Sequence, residues 1–222
     1  MTIGKEAATE GTLRQDARRN RDALVAAATE VFSEQGLDAS LIEVARRASV
    51  GNATLYRHFP TRADLHAAVF AEAQETIHQL GRKAMLIEDG WVAFCSYLEQ
   101  CCELAVTNRA YSDLMMVSTP GHHSPMEGWD RVEIPMRALI ERAQRQGALQ
   151  PGVTHEDVLM ALFSVQMMIP ASIEIAPRAW RRQLTFTLNG LHTNAPNEPA
   201  DPTITSEQLH PIVQRLFLRD TE

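Results

Sequence analysis

The stretch from Leu41 to Leu65, LIEVARRASVGNATLYRHFPTRADL, constrains the chain most, because its apolar residues keep helical spacing twice within one short run. Leu41, Val44, Ala45 and Ala48 fall on one face of a first helix, and Leu55, Tyr56 and Phe59 on one face of a second. Ser49, Val50, Gly51 and Asn52 separate them, with Gly and Asn tolerant of turn and helix-start backbone angles. Two helices joined so tightly must cross steeply, the geometry of a helix-turn-helix whose second member enters the DNA major groove. Charge points the same way. Between Glu43 and Asp64 there is no acidic residue, whereas Arg46, Arg47, Arg57, His58 and Arg62 all fall there, in a chain of formal net charge -7. A local basic surface suits a polyanion, and because ionic fields fade over about 10 Å at physiological salt, acidic residues elsewhere do not cancel it.

The order Ala48-Ser-Val-Gly-Asn-Ala-Thr-Leu-Tyr-Arg-His-Phe59, followed by Pro-Thr-Arg and Ala-Asp-Leu, resembles the helix-turn-helix signature of the TetR family of transcriptional repressors. Leu-Tyr-x-His-Phe is its specific part, and the resemblance covers about residues 18 to 66. That family usually has Gly where this chain has Ser49, and Ser or Thr where it has Gly51. Ser49 is therefore expected to take a conformation that Gly adopts more easily, and Gly51 to leave the cap to Asn52 or to do without a side-chain cap. The resemblance implies a phosphate contact from Ser40, and backbone contacts from Tyr56, His58 and Arg62. By their position at the start of the second helix, Asn52, Ala53 and Thr54 point at base edges, where Asn can read adenine and Thr a thymine methyl, and Gly51 before them is counted with the DNA-binding residues. Arg57 has phosphate or guanine within reach, and Arg18 is a candidate phosphate contact from the cluster Arg14, Arg18, Arg19 and Arg21. Phe59 reads as core.

At 222 residues and 45% hydrophobic, the chain has room for this head and a larger second unit. The expected division is a disordered arm over 1–13, a three-helix DNA-binding domain over 14–65, and an all-α bundle over 66–222 for ligand binding and dimerisation. In the head, Leu24, Ala28, Val31 and Phe32 mark a backing helix that stops at Gly36. Ser40 with Glu43, Thr61 with Asp64, Thr154 with Asp157 and Thr205 with Gln208 have capping-box spacing. A helix from Leu65 to about Gly81 joins the head to the body; the resemblance implies that it carries a pendulum-like shift. Helical stripes follow from Trp91 to Ala105, from Arg109 to Val117, and from Met126 or Pro135 to Gly147, with Pro135 in a first turn or at a kink.

Val158 to Ile169 is apolar on nearly every side and must be buried twice, most simply against a second copy of the chain. Helices around 157–169 and 178–192 are thus the expected homodimer interface, a pairing that the resemblance also implies. A Pro-rich linker over 194–203 leads to a last amphipathic helix through Phe217. Soft methionines, tryptophan faces and a buried-looking glutamine mark a small, largely apolar effector's pocket. Its expected lining is Trp91, Phe94, Leu98, Cys101, Met115, Met116, Trp129, Phe163, Gln166 and Met167.

Other chemistries find little support. Adjacent Cys101 and Cys102, flanked by Glu99 and Glu103, read as buried apolar residues and not as a redox switch, and His122, His123 and His155 do not make a metal site. No cofactor is expected, and no P-loop, dinucleotide fingerprint or nucleophile elbow suggests an enzyme. No apolar run is long enough for a membrane, and the first residues lack the apolar core of a signal peptide, so a cytoplasmic location is expected. The sequence therefore reads as a dimeric repressor of a palindromic operator, released by a small molecule. The rival reading is a helical small-molecule-binding or enzymatic protein whose head no longer binds DNA.

Overall fold

The computed structural model describes residues 3–116 and 130–195, with side chains over 15–114 and 132–195, together with positions 205, 207, 208 and 212. These described residues are helical throughout, apart from the turns between helices and a single antiparallel bridge between Leu149 and His192. The chain divides into two compact units, Met1–Phe70 and Ala71–Glu222, and the division falls inside one helix.

In the first unit, α1 (Ile3–Gln35) packs on α2 (Leu41–Arg47) and α3 (Asn52–His58). Leu24, Ala28, Val31, Phe32, Val44, Ala45, Leu55 and Phe59 are buried together with Leu65 and Val69 from the start of α4 (Arg62–Ala84). The helical stripes read from sequence thus supply the core, except that Tyr56, read on the inner face of the second helix, faces outward, and Leu41 and Ala48 are only half-buried. Gly36 ends α1 with φ +86, and its N–H bonds to the Phe32 carbonyl at 2.9 Å. α1 starts at Ile3, however, where an arm was expected to residue 13. Lack of an apolar stripe there did not mean lack of helix, since Lys, Glu and Ala favour the helix without one.

The turn between α2 and α3 is a Schellman motif: the Ser49 N–H bonds to the Arg46 carbonyl at 3.1 Å and the Val50 N–H to that of Ala45 at 2.9 Å. It forces Ser49 to φ +56, the left-handed region expected of it. Left-handed backbone costs a non-glycine residue about 1–2 kcal/mol, partly offset by glycine's greater freedom when unfolded. Ser49→Gly is therefore expected to stabilise the unit by about 0.5–1 kcal/mol. A urea midpoint equal to or below wild type would contradict this.

The Ser40–Glu43 capping box does not form. Ser40 occupies the N-cap of α2 without a side-chain cap bond, and the Glu43 carboxylate that would complete the box by accepting from the Ser40 N–H instead accepts two hydrogen bonds from Arg46, at 2.7 and 2.6 Å. A bidentate charged pair outcompetes a bond to a neutral backbone amide. Gly51 is the N-cap of α3, again without a side-chain cap. The boxes at Thr61–Asp64 and Thr154–Asp157 do form, and so do the two bonds between Thr205 and Gln208. The helix expected beyond Gln208 and most of the linker before it lie outside the described residues.

In the second unit, α5 (Gly90–Thr107) is central and packs against α6 (Arg109–Met116), α7 (Asp130–Arg145), α8 (His155–Ser172) and α9 (Ala179–Leu191). Its buried face carries Phe94, Tyr97, Leu98, Cys101 and Cys102. Helix α7 grips the α4–α5 hairpin. Arg142 donates to the carbonyls of Met85 and Ala84 at 3.0 and 3.2 Å, and Gln146 accepts from the Gly90 N–H while donating to the Glu88 carbonyl at 3.1 Å. Pro135 sits inside α7, against Gly81 of α4, where an added Cβ would lie 2.4 Å from the proline Cβ.

Candidate nucleic-acid interface

The faces of α3 separate cleanly by burial. Leu55 is 1% and the following Phe59 2% exposed, whereas Asn52, Ala53, Tyr56 and Arg57 all face outward, with Tyr56 at 50%. Thr54 and His58 are half-buried on the flanks. One turn of helix thus presents an amide, a methyl, a phenol and a guanidinium on a single surface. Ser40, with its hydroxyl not used for capping, is also exposed, as are Gly51 and Arg18.

The structure redistributes the arginines read as one basic footprint. Arg46 is held by Glu43, and Arg47 by Glu34 at 2.7 Å with Glu30 and Glu43 at 3.7 and 3.6 Å. These pairs depress the Glu34 and Glu43 carboxyls below their ordinary range, through hydrogen bonds from Arg47 and Arg46 respectively. Arg62 donates from Nη1 to the carbonyls of Leu37 and Ala39 at 2.8 and 2.7 Å, with His66 beside it, 3.2 Å from the Leu37 carbonyl. These three arginines tie the unit together. Arg57 is the cation that α3 itself offers on its exposed face.

His58 is held below the ordinary imidazole range, first by burial and then by Arg57 and Arg21, so it is neutral at pH 7 and can serve a phosphate only as a neutral donor. Its Nε2 is buried, with no hydrogen-bond partner among the described residues. Arg21 of α1 lies 5.5 Å over the Phe59 ring, which places a further cation near the end of α3. Sequence reading counted Arg21 in a cluster but not as a site residue; its spacing from Arg18 was the available signal.

In the body, Phe94, Leu98, Cys101 and Phe163 are buried, which is equally the signature of core. Trp91 is half-buried, edge-on to His192 at 4.7 Å between centroids and tilted on Phe94 at 5.8 Å. Gln166 donates to the Cys101 carbonyl at 3.1 Å, which supplies the partner its position demanded, and Met167 is half-buried next to it in α8. The side chains of Met115 and Met116, and Trp129, His122 and His123 entirely, lie outside the described residues.

Among the described residues no three His, Cys, Asp or Glu side chains are arranged to hold a metal ion, and no helix is long and apolar enough to cross a membrane. Burial pushes the Cys95 and Cys102 thiols up to about 12 and Cys101 higher still, so all three are protonated at neutral pH. Labelling by a thiol-disulfide reagent at pH 7.5 is therefore expected to be at least about 100-fold slower in the native protein than in denaturant, since the thiolate reacts. Fast stoichiometric labelling of the native protein would contradict that burial.

A tight helix-turn-helix with an exposed polar and cationic second helix, followed by a larger helical body, defines the class of helix-turn-helix transcriptional regulators. Comparison with known proteins narrows the class. A model of the bacterial regulatory proteins of the TetR family matches residues 24–69, and one of the C-terminal domain of SbtR-like transcriptional regulators matches residues 90–193. The uncharacterized helix-turn-helix-type regulator TtgW of Pseudomonas putida is 34% identical over 79 residues, which are 35% of this chain and 59% of that protein. A TetR regulator from Streptomyces coelicolor has a crystal structure with a TM-score of 0.62 at 29% identity, over 79% of this chain and 99% of that one. One from Mycobacterium vanbaalenii gives 0.61 at 25%, over 81% and 99%. The chain belongs to the TetR family of transcriptional regulators.

Proposed function

We propose that the protein is a ligand-responsive transcriptional regulator, a repressor that binds a palindromic DNA operator as a homodimer and is released by a small, largely apolar molecule. The observation that carries this reading is the α3 surface, where Asn52, Ala53, Tyr56 and Arg57 are exposed over a buried Leu55 and Phe59. An exposed amide, phenol and guanidinium on one short helix beside a tight turn match the chemistry of an operator's bases and phosphates. In a dimer the two heads enter successive major grooves about 34 Å apart. Asn52 to Thr54 read base edges, with the Gly51 backbone beside them at the DNA, Arg57 reaches guanine or phosphate, and Ser40, Tyr56, His58 and Arg18 meet the backbone, while Arg62, committed to the Leu37 and Ala39 carbonyls, holds the unit beneath them.

The dimer forms through the outer faces of α8 and α9. Met168 and Phe186 are 51% and 56% exposed there, and Ile175 in the connection is 87% exposed. Apolar exposure on this scale suits a face that a second copy covers. The effector occupies the body among Trp91, Phe94, Leu98, Cys101, Phe163, Gln166 and Met167. It favours a body whose heads are mis-spaced, through coupling of about 1–3 kcal/mol, and α4, which carries residues of both units, transmits the change. Such a regulator works in the cytoplasm.

Sedimentation of the full chain tests the assembly. A dimer at micromolar concentration is expected for wild type and a shift to monomer for Phe186→Glu combined with Met168→Glu, which would bury two like charges per protomer. A double variant that sediments as wild type would place the interface elsewhere.

A further inference from the structure

The first turn of α8 buries an imidazole that nothing in the proposed DNA or effector chemistry uses. His155 is 4% exposed and, among the described residues, neither ring nitrogen has a hydrogen-bond partner. Native interiors seldom leave such a group without a purpose. Its Nδ1 lies 3.9 Å from a carboxylate oxygen of Glu133 on α7 and 3.8 Å from one of Glu156, its own neighbour in α8. Both of those oxygens are held by Arg137, whose Nη2 is 2.6 Å from Glu133 and 3.2 Å from Glu156. An ordinary hydrogen bond spans about 2.7–3.2 Å, so the imidazole stands roughly 1 Å short of two acceptors that a guanidinium already occupies.

The other charged groups on the helices packed against α8 are turned to partners of their own. Asp157 accepts from the hydroxyl of Thr154, Arg109 and Asp113 of α6 face each other at 3.4 Å, Glu99 and Glu103 of α5 meet Arg181 of α9, and Arg182 of α9 lies over the Phe186 ring. On α7, Glu141 pairs with Arg145 at 3.7 Å and Arg142 caps the end of α4. Among the described side chains, Glu133, Glu156 and Arg137 are thus the charges that act on His155.

We propose that His155, Glu133, Glu156 and Arg137 form a proton-operated contact between α7 and α8, in which one proton taken by His155 from solvent exchanges the imidazolium for Arg137 on a carboxylate. In the neutral state one ring nitrogen carries no hydrogen. Proton uptake gives both nitrogens an N–H, and the one at Nδ1 closes on Glu133 or Glu156 while Arg137, 41% exposed along its side chain, moves outward to water. Burial and the Arg137 charge oppose the proton, while the two carboxylates favour it, and the balance holds His155 below its ordinary range. The unfolded chain therefore takes up the proton first, near the ordinary imidazole value of about 6.5. Stability is full above that pH and falls as the pH drops from it toward the folded value. The contact does not depend on α3 reading DNA.

Carbon-13 and nitrogen-15 NMR of the histidine rings in the full-length protein, titrated from pH 8 to pH 5, tests this. Glu133→Gln is expected to move the His155 titration to lower pH and Arg137→Gln to higher pH, by about one unit each, with backbone amides of α7 following the same curve in wild type. A His155 that stays neutral to pH 5 with α7 unmoved, or one that titrates without responding to either substitution, would overturn the proposal. Denaturant midpoints give an independent reading that a folding defect cannot mimic. Because His58 in the first unit is also held below its ordinary range, the comparison is made in a His58→Gln background; there His155→Gln should remove most of the remaining fall between pH 7 and pH 5, whereas a midpoint lowered equally at every pH, with the fall kept, would leave the histidine a packing role alone.

Discussion

Replacing Tyr56 by alanine is expected to weaken binding to operator DNA by about 100-fold or more while leaving the unfolding midpoint nearly unchanged. Tyr56 is 50% exposed, so its truncation opens no enclosed cavity. What it removes is an aromatic body against the groove wall and a hydroxyl donor to phosphate. A hydrogen bond to a charged group contributes about 1.5–3 kcal/mol, and a symmetric dimer loses it twice, so about 3 kcal/mol is the smaller end of the loss. Arg57→Ala should weaken binding comparably and also flatten the salt dependence by about one unit of slope per chain, because each phosphate-bound cation releases counterions. Arg47→Ala provides the contrast. Its guanidinium is committed to Glu34, so its loss should appear in the stability of the head rather than in the salt slope. Fluorescence anisotropy with labelled operator at several salt concentrations reads all three. Equal affinities for wild type and Tyr56→Ala would remove α3 from the interface.

The second large effect belongs to the core beneath that surface. Phe32 of α1 has no exposed area and meets His66 edge-on at 5.0 Å between centroids. Phe32→Ala is expected to destabilise the first unit by about 3–5 kcal/mol through lost burial and the cavity left behind. A domain of this size has only about 5–10 kcal/mol of stability, so most of its margin would go. Hydrogen exchange should report the loss as faster exchange across α1, α2 and α3, with amides of α5 and α8 close to wild type. Protection in α1 unchanged from wild type would mean that the ring is not the keystone its burial indicates.

How much of this was legible beforehand depended on the range of the interaction. The helices of the head follow from spacing alone: Val31, Phe32, Val44, Leu55 and Phe59 lie on inner faces because each is three or four residues from another apolar one. The strain at Ser49 was legible too, since a turn this short leaves its residues few backbone options. The fate of the arginines was not. Glu34 is 13 residues from Arg47, and the carbonyls that hold Arg62 belong to residues 25 and 23 positions earlier, separations at which a sequence carries no pairing signal. The Glu43 half of the Ser40 box is lost for a local reason, because that carboxylate has a better partner in Arg46, one turn further on. In the body, a core and an apolar pocket call for the same residues, so Phe94, Leu98 and Phe163 carry no label that separates the two. The buried histidine at the start of α8 was visible only as one residue among eight of its kind until α7 brought Glu133 and Arg137 beside it.

The measurement that tests the central claim most directly is an anisotropy titration of the full-length protein against DNA from the region upstream of its own gene and against an unrelated fragment, at about 50 mM and about 200 mM salt. The account expects nanomolar, sequence-selective binding to the first fragment, about 1000-fold tighter than to the second, with affinity for both falling steeply as salt rises. Weak binding that is the same for every upstream and unrelated fragment would contradict it and leave the α3 surface without its partner.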